Sequence, residues 1–127
     1  MANGKIKADT LEHSTAGSLD TQYVVKGSAK AWIHFNGTGT VAIKDSLNIA
    51  SLSDAGTGLY NCAISSDFSN ANFSTTGAAG ENDDSGGNRS LGLRAKTSGT
   101  QNVRGFRDGV SADDMVEMCF QCMGDLA

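Results

Sequence analysis

From Ala29 the hydrophobic pattern takes a period of two. Ala29, Ala31, Ile33 and Phe35 fall on one side, and Lys30, Trp32, His34 and Asn36 on the other. That is the pattern of a strand with one buried face. Asn36-Gly-Thr-Gly-Thr40 follows as a turn whose glycines accept positive φ. Val41, Ile43, Leu47 and Ile49 then share a parity, interrupted by Asp45, against Ala42, Lys44, Ser46, Asn48 and Ala50. Two such runs around a Gly-containing turn predict a β-hairpin, with Val41, Ile43, Leu47 and Ile49 facing one way.

The rest of the chain repeats the short-strand pattern. A turn is expected at Ser53–Gly58, a strand from Leu59 to Ser65 and another from Ala71 to Thr75. Ala78 to Asn88 reads as a long polar loop. Strands at Arg89 to Thr97 and Val103 to Phe106 flank a turn at Ser98–Gln101, and Asp108–Asp114 turns the chain once more. Met115 to Met123 closes it as a nearly uninterrupted apolar strand. With no βαβ alternation and no long amphipathic helix, the class predicted is all-β: an antiparallel β-sandwich-like domain over residues 29–127.

Residues 1–28 differ. Residues 1–13 have material for one short strand, Ser14–Ser18 reads as a loop, and Leu19, Tyr23, Val24 and Val25 allow either a short helix capped by Ser18 or an extended arm. The segment carries too little apolar area to fold unaided. It is expected to be an N-terminal attachment or oligomerisation arm that needs a neighbour.

Composition narrows the function classes. In 127 residues there are 16 Gly, no Pro and only 6% aromatics, so the core must rely on small aliphatic side chains joined by many turns. The net charge of −4, with Lys and Arg scattered, disfavours a phosphate-backbone partner. The apolar runs are too short to cross a bilayer as helices, and the opening residues do not read as a secretory signal. Cys62, Cys119 and Cys122 are an odd number, which favours free thiols in a core over disulfide staples.

The stretch Gly27-Ser-Ala-Lys-Ala-Trp-Ile-His-Phe-Asn-Gly-Thr-Gly-Thr-Val-Ala-Ile-Lys-Asp-Ser-Leu-Asn-Ile49 resembles a module of tail-fibre proteins of tailed bacteriophages, especially marine ones. The likeness continues through Asp54-Ala-Gly-Thr-Gly-Leu-Tyr60 and Ala71-Asn-Phe73, and Ile6-Lys-Ala-Asp-Thr-Leu-Glu-His-Ser-Thr15 is similar to the lead-in of short phage proteins of this kind. It covers residues 5–75, while the remainder matches in pattern only. His34, the acidic loop at Glu81–Asp84 and the Cys-rich last strand depart from it and leave the ligand open. The resemblance implies a virion protein, made in the host cytoplasm, that assembles as a homotrimer with other virion proteins and meets a host surface glycan without catalysis. A capsid decoration or neck-attached protein is the alternative, and a small polysaccharide-modifying enzyme ranks last.

Candidate chemistry was weighed residue by residue. Cys119 and Cys122 have metal- or redox-type spacing, but inside a strand they point to opposite faces, which favours packing. Asn82, Asp83, Asp84 and Asn88 offer hard oxygens without the spacing of a Ca²⁺ loop. They read as solvated, receptor-facing positions. Trp32 and His34 share a face that suits either stacking on a sugar ring or, as the favoured reading, packing on neighbouring strands or a partner chain. No Gly-x-Ser-x-Gly elbow is present. Asp83, Asp84, Asp108, Asp113 and Asp114 are carboxylates in turns, where Asp serves the backbone. No enzyme, metal or cofactor is therefore expected, and oligomerisation is assigned to Leu19, Tyr23, Val24 and Val25.

Overall fold

The computed structural model, which describes residues 4, 6–81 and 87–127, is an antiparallel β-sandwich preceded by a hairpin and a short helix. The N-terminal arm consists of β1 (Thr10–His13), β2 (Gly17–Asp20) and α1 (Thr21–Gly27). Leu11 pairs with Leu19 across the hairpin. Ser18 therefore lies in a strand and does not cap the helix as expected. Asp20 takes the capping position instead, in extended backbone and without a side-chain bond. Pairing two apolar residues across a four-residue ladder outweighed one capping hydroxyl.

The sandwich strands are β3 (Ala29–Asn36), β4 (Ala42–Leu47), β5 (Ile49–Gly56), β6 (Leu59–Ile64), β7 (Ser74–Gly80), β8 (Arg89–Thr97), β9 (Thr100–Arg107), β10 (Ser111–Ala112) and β11 (Glu117–Met123). One sheet has the order β4-β3-β11-β7. In the other, β5 pairs β6, β6 pairs β9, and β8 and the short β10 also pair β9. The chain passes between sheets at Asn48, the single residue separating β4 from β5. Asn48 holds φ 57, and its side chain bonds both the N–H and the C=O of Ser66. Asn visits this left-handed region more readily than other non-Gly residues, because its short amide bonds the local backbone.

Alternation in β3 buries Ala31, Ile33 and Phe35 as predicted. The expected parity of the next strand does not hold. The β3–β4 register shifts between His34 and Phe35, so Phe35 faces Ile43 whereas Trp32 faces Leu47. A bulge inserts one residue and reverses the sidedness of everything beyond it. Ile43 thus borders the core at the sheet edge and Leu47 joins the outer face, 41% and 49% exposed, while Val41 and Ile49 pack against the core.

Other boundaries move for similar reasons. β5 continues through Ser53–Gly56, leaving a tight turn at Thr57-Gly58, where Gly58 has φ 66 and an added Cβ would lie 2.7 Å from the Asp113 nitrogen. Ala71–Phe73 precede rather than form a strand, and Ala78–Gly80 belong to β7, because that backbone pairs β11 from Ser74 to Gly80. β9 begins at Thr100, so Ser98-Gly99 alone make the turn, and Ser111–Ala112 within the expected turn pair β9. β11 starts at Glu117 and alternates instead of being uniformly apolar.

Between the sheets lie Phe35 edge-on to Tyr60, with ring centroids 5.0 Å apart, and Met118, Phe120, Cys122, Cys62, Ile64 and Val103. Phe68 and Phe73 stack at 4.1 Å and close one end. Burying each large apolar side chain contributes roughly 1.5–3 kcal/mol. Gln101 is the buried polar residue of this core, accepting a 2.8 Å bond from the Thr75 hydroxyl and donating to Asn102 O at 2.9 Å. Cys62 and Cys122 are free buried thiols, and burial pushes Cys62 up to about 12 and raises Cys122 as well.

Candidate binding face

The outer face of the β4-β3-β11-β7 sheet is built from side chains of opposite parity to the core. Register places them in two rows across the strands. Leu47, Trp32, Gln121 and Thr76 form one, and Asp45, His34, Cys119 and Ala78 form the next. The second row drops in height at Cys119 and Ala78, which are small, while Trp32 and His34 stand beside them. The result is an open recess of about 450 Å³, lined by Trp32, His34, Thr76, Ala78, Cys119 and Gln121 together with the intervening backbone.

At the rim the charges are paired. Glu117, two residues before Cys119 on the same face, takes bonds from His34 Nε2 and from Lys44 Nζ, and Lys44 also reaches Val116 O at 3.3 Å. Lys44 sits at the β4 bulge, which aims it across β3 toward β11. Hydrogen bonds from Lys44 and then His34 hold the Glu117 carboxyl below the usual glutamate range. A depressed carboxylate contributes stability that is complete above the unfolded value near 4.5 and is lost as pH falls through the lower folded value. An NMR titration of Glu117 is expected to show this, and Lys44→Ala should return the carboxyl toward the ordinary range. An unmoved titration would mean that the Lys44 bond does not form.

The residues expected to carry function are placed as follows. Trp32 and His34 share the outer face, and Trp32, of intermediate burial, lines the recess. Cys119 is exposed and Cys122 buried, so their spacing brings no two thiols together. Asn82, Asp83 and Asp84 lie outside the described residues, whereas Asn88 is exposed and its carbonyl accepts the Asp108 N–H at 2.8 Å. Asp114 serves the fold, accepting the Gly58 N–H at 2.6 Å and the Tyr60 O–H at 2.9 Å. Asp113 pairs with Arg107, and Asp108 occupies a turn at φ 52. Leu19, Tyr23, Val24 and Val25 are all exposed on the arm.

Sequence reasoning missed Glu117, Lys44, Gln121, Thr76 and Ala78. A signal for two of them was present, since Glu117, Cys119 and Gln121 alternate with Met118, Phe120 and Cys122. Lys44 depended on the bulge, and Thr76 and Ala78 on a strand boundary that the polar composition hid. Among the described residues no group of three His, Cys, Asp or Glu side chains is arranged to hold a metal ion.

Fold and face together define a β-sandwich with an apolar-bearing N-terminal arm and a recess on one sheet. No protein-family model, curated protein or solved structure matches the chain.

Proposed function

We propose that the chain is a non-catalytic attachment subunit of a tailed-phage particle, a tail-fibre or adhesin component in which residues 1–28 join copies and dock on the virion and residues 29–127 form the tip. The observation that carries this reading is the arm. It forms a hairpin and a helix, yet among its described residues buries no apolar side chain: Leu19 is 47% exposed, Tyr23 61%, Val24 41% and Val25 57%. Ile6, Ala8, Leu11, Val24 and Val25 also line an apolar groove of about 290 Å³ on the arm itself. A helix of seven residues has little stability of its own, and apolar contact with a neighbour supplies what it lacks.

Charge favours other copies of the arm as that neighbour. Lys5, Lys7 and Lys26 balance Asp9, Glu12 and Asp20, so the whole net charge of −4 falls on residues 29–127. Arms meet without repulsion, while the tips repel and stay apart. A trimer built this way presents its tip surface three times and gains avidity at a host surface.

Light scattering over a wide concentration range tests the reading. The full chain is expected near three times 13.1 kDa, and deletion of residues 1–28, or Tyr23→Asp with Val25→Asp, should reduce it to a single chain with an unchanged sandwich CD spectrum. A trimer that survives the deletion overturns the arm's role. A monomer at every concentration replaces the fibre assignment with a decoration subunit that docks singly.

A further inference from the structure

We infer that the recess beside Trp32 binds a neutral pyranose unit of a surface glycan, through stacking on the indole and hydrogen bonds to Gln121 and Thr76. Three observations support this ligand class. The indole is partly exposed at the edge of a 450 Å³ recess, a volume suited to one or two sugar rings, and its neighbours Cys119 and Ala78 are small enough to leave the ring approachable. A pyranose offers a face of C–H groups that an indole covers well, while its hydroxyls remain at the periphery for polar groups.

Trp32, Thr76 and Gln121 line the recess and bring an indole N–H, a hydroxyl and a side-chain amide to it. Gln121 supplies a donor and an acceptor, Thr76 does the same, and the indole supplies a donor. Paired donors and acceptors at one level of the sheet match the alternating lone pairs and O–H groups of a polyol. An aliphatic ligand would leave them unsatisfied.

Charge decides against anionic sugars. Glu117 is neutralised by its bonds to Lys44 and His34, Asp45 stands at the end of the His34 row, and the tip is net acidic. No free cation faces the recess among the described residues. Uronates or sialylated units thus have no partner there, whereas neutral hexoses lose nothing. The inference rests on the attachment reading for its biological setting, and the two fail separately: sugar binding is measured on one tip, chain association by mass.

Trp32 is the single tryptophan of the chain, so emission excited selectively at tryptophan, above the absorption of Tyr23 and Tyr60, reports this site alone. Full-length protein is titrated with methyl glucoside, methyl mannoside, methyl galactoside, N-acetylglucosamine and their disaccharides, with a uronic acid and a proline-rich peptide as comparisons. The expected result is a saturable emission change with at least one neutral saccharide in the millimolar range. Saturation-transfer NMR should then show that binding is lost in Trp32→Ala, and Gln121→Ala should weaken it by roughly tenfold, the equivalent of one good hydrogen-bonded contact. Ala78→Phe fills the recess while keeping the indole, so it must also abolish the response; all three variants lie on the outer face and are checked for native CD. Binding that persists in Ala78→Phe, a preference for the uronic acid, saturation by the peptide alone, or no response to any neutral saccharide overturns the inference. Light scattering of the same samples then shows whether the arm-based assembly stands without it.

Discussion

Replacing Phe35 with alanine is expected to destabilise the domain by about 3–5 kcal/mol, seen as a lower denaturation midpoint at unchanged slope. Phe35 is completely buried and meets Tyr60 edge-to-face across the two sheets. On its own sheet it stands between Met118 of β11 and Ile43 of β4. Three hydrogen-bonded strands and the opposite sheet fix the walls of the space it leaves, so little relaxation can fill the cavity. A loss under 1 kcal/mol would mean that the sheets close over the gap, and that the core is less tightly specified than its contacts indicate.

Asp114→Ala is expected to cost about 2–4 kcal/mol, because two bonds to an ionised acceptor disappear at once. Its Oδ1 receives the Gly58 N–H in the tight turn after β5 and the hydroxyl of Tyr60, whose single proton is shared with Gly37 O at 3.0 Å. One carboxylate therefore ties the β5–β6 turn to the residues leading into β11. Burial first, then the Asp114 bond and charge, raise the Tyr60 ionisation well above the tyrosine range. Asp114→Asn keeps an acceptor but removes the charge, so it should recover part of the stability and let Tyr60 ionise at lower pH in a spectrophotometric titration. Equal losses for Ala and Asn would show that the charge itself carries the contact. The geometry of this carboxylate gives it a structural task.

Much of the architecture was legible because strand parity is a local property. Ala31, Ile33 and Phe35 turn inward while Trp32 and His34 turn outward, and Cys119 and Cys122 separate to opposite faces, all as their spacing required. The reading failed where one residue changes the count. Lys44 at the bulge sends Leu47 to the outer face, and the interruption of the apolar parity by Asp45 is its one trace in Ala42–Leu47, since a bulge answers to the partner strand's twist and pairing. Ala78–Gly80 read as the start of a loop because Ala and Gly carry little strand propensity; their pairing with β11 overrides it.

The sequence by itself determined the all-β class and the inward set of β3. These follow from periods and spacings between near neighbours. Tertiary structure alone decided which strands lie side by side, and hence that Trp32, Gln121 and Thr76 share a row and that Glu117 meets both His34 and Lys44. Those residues come from segments more than forty positions apart. Pairing of that range is selected by burial of two whole sheet faces against each other, a global free energy that no short stretch of chain records.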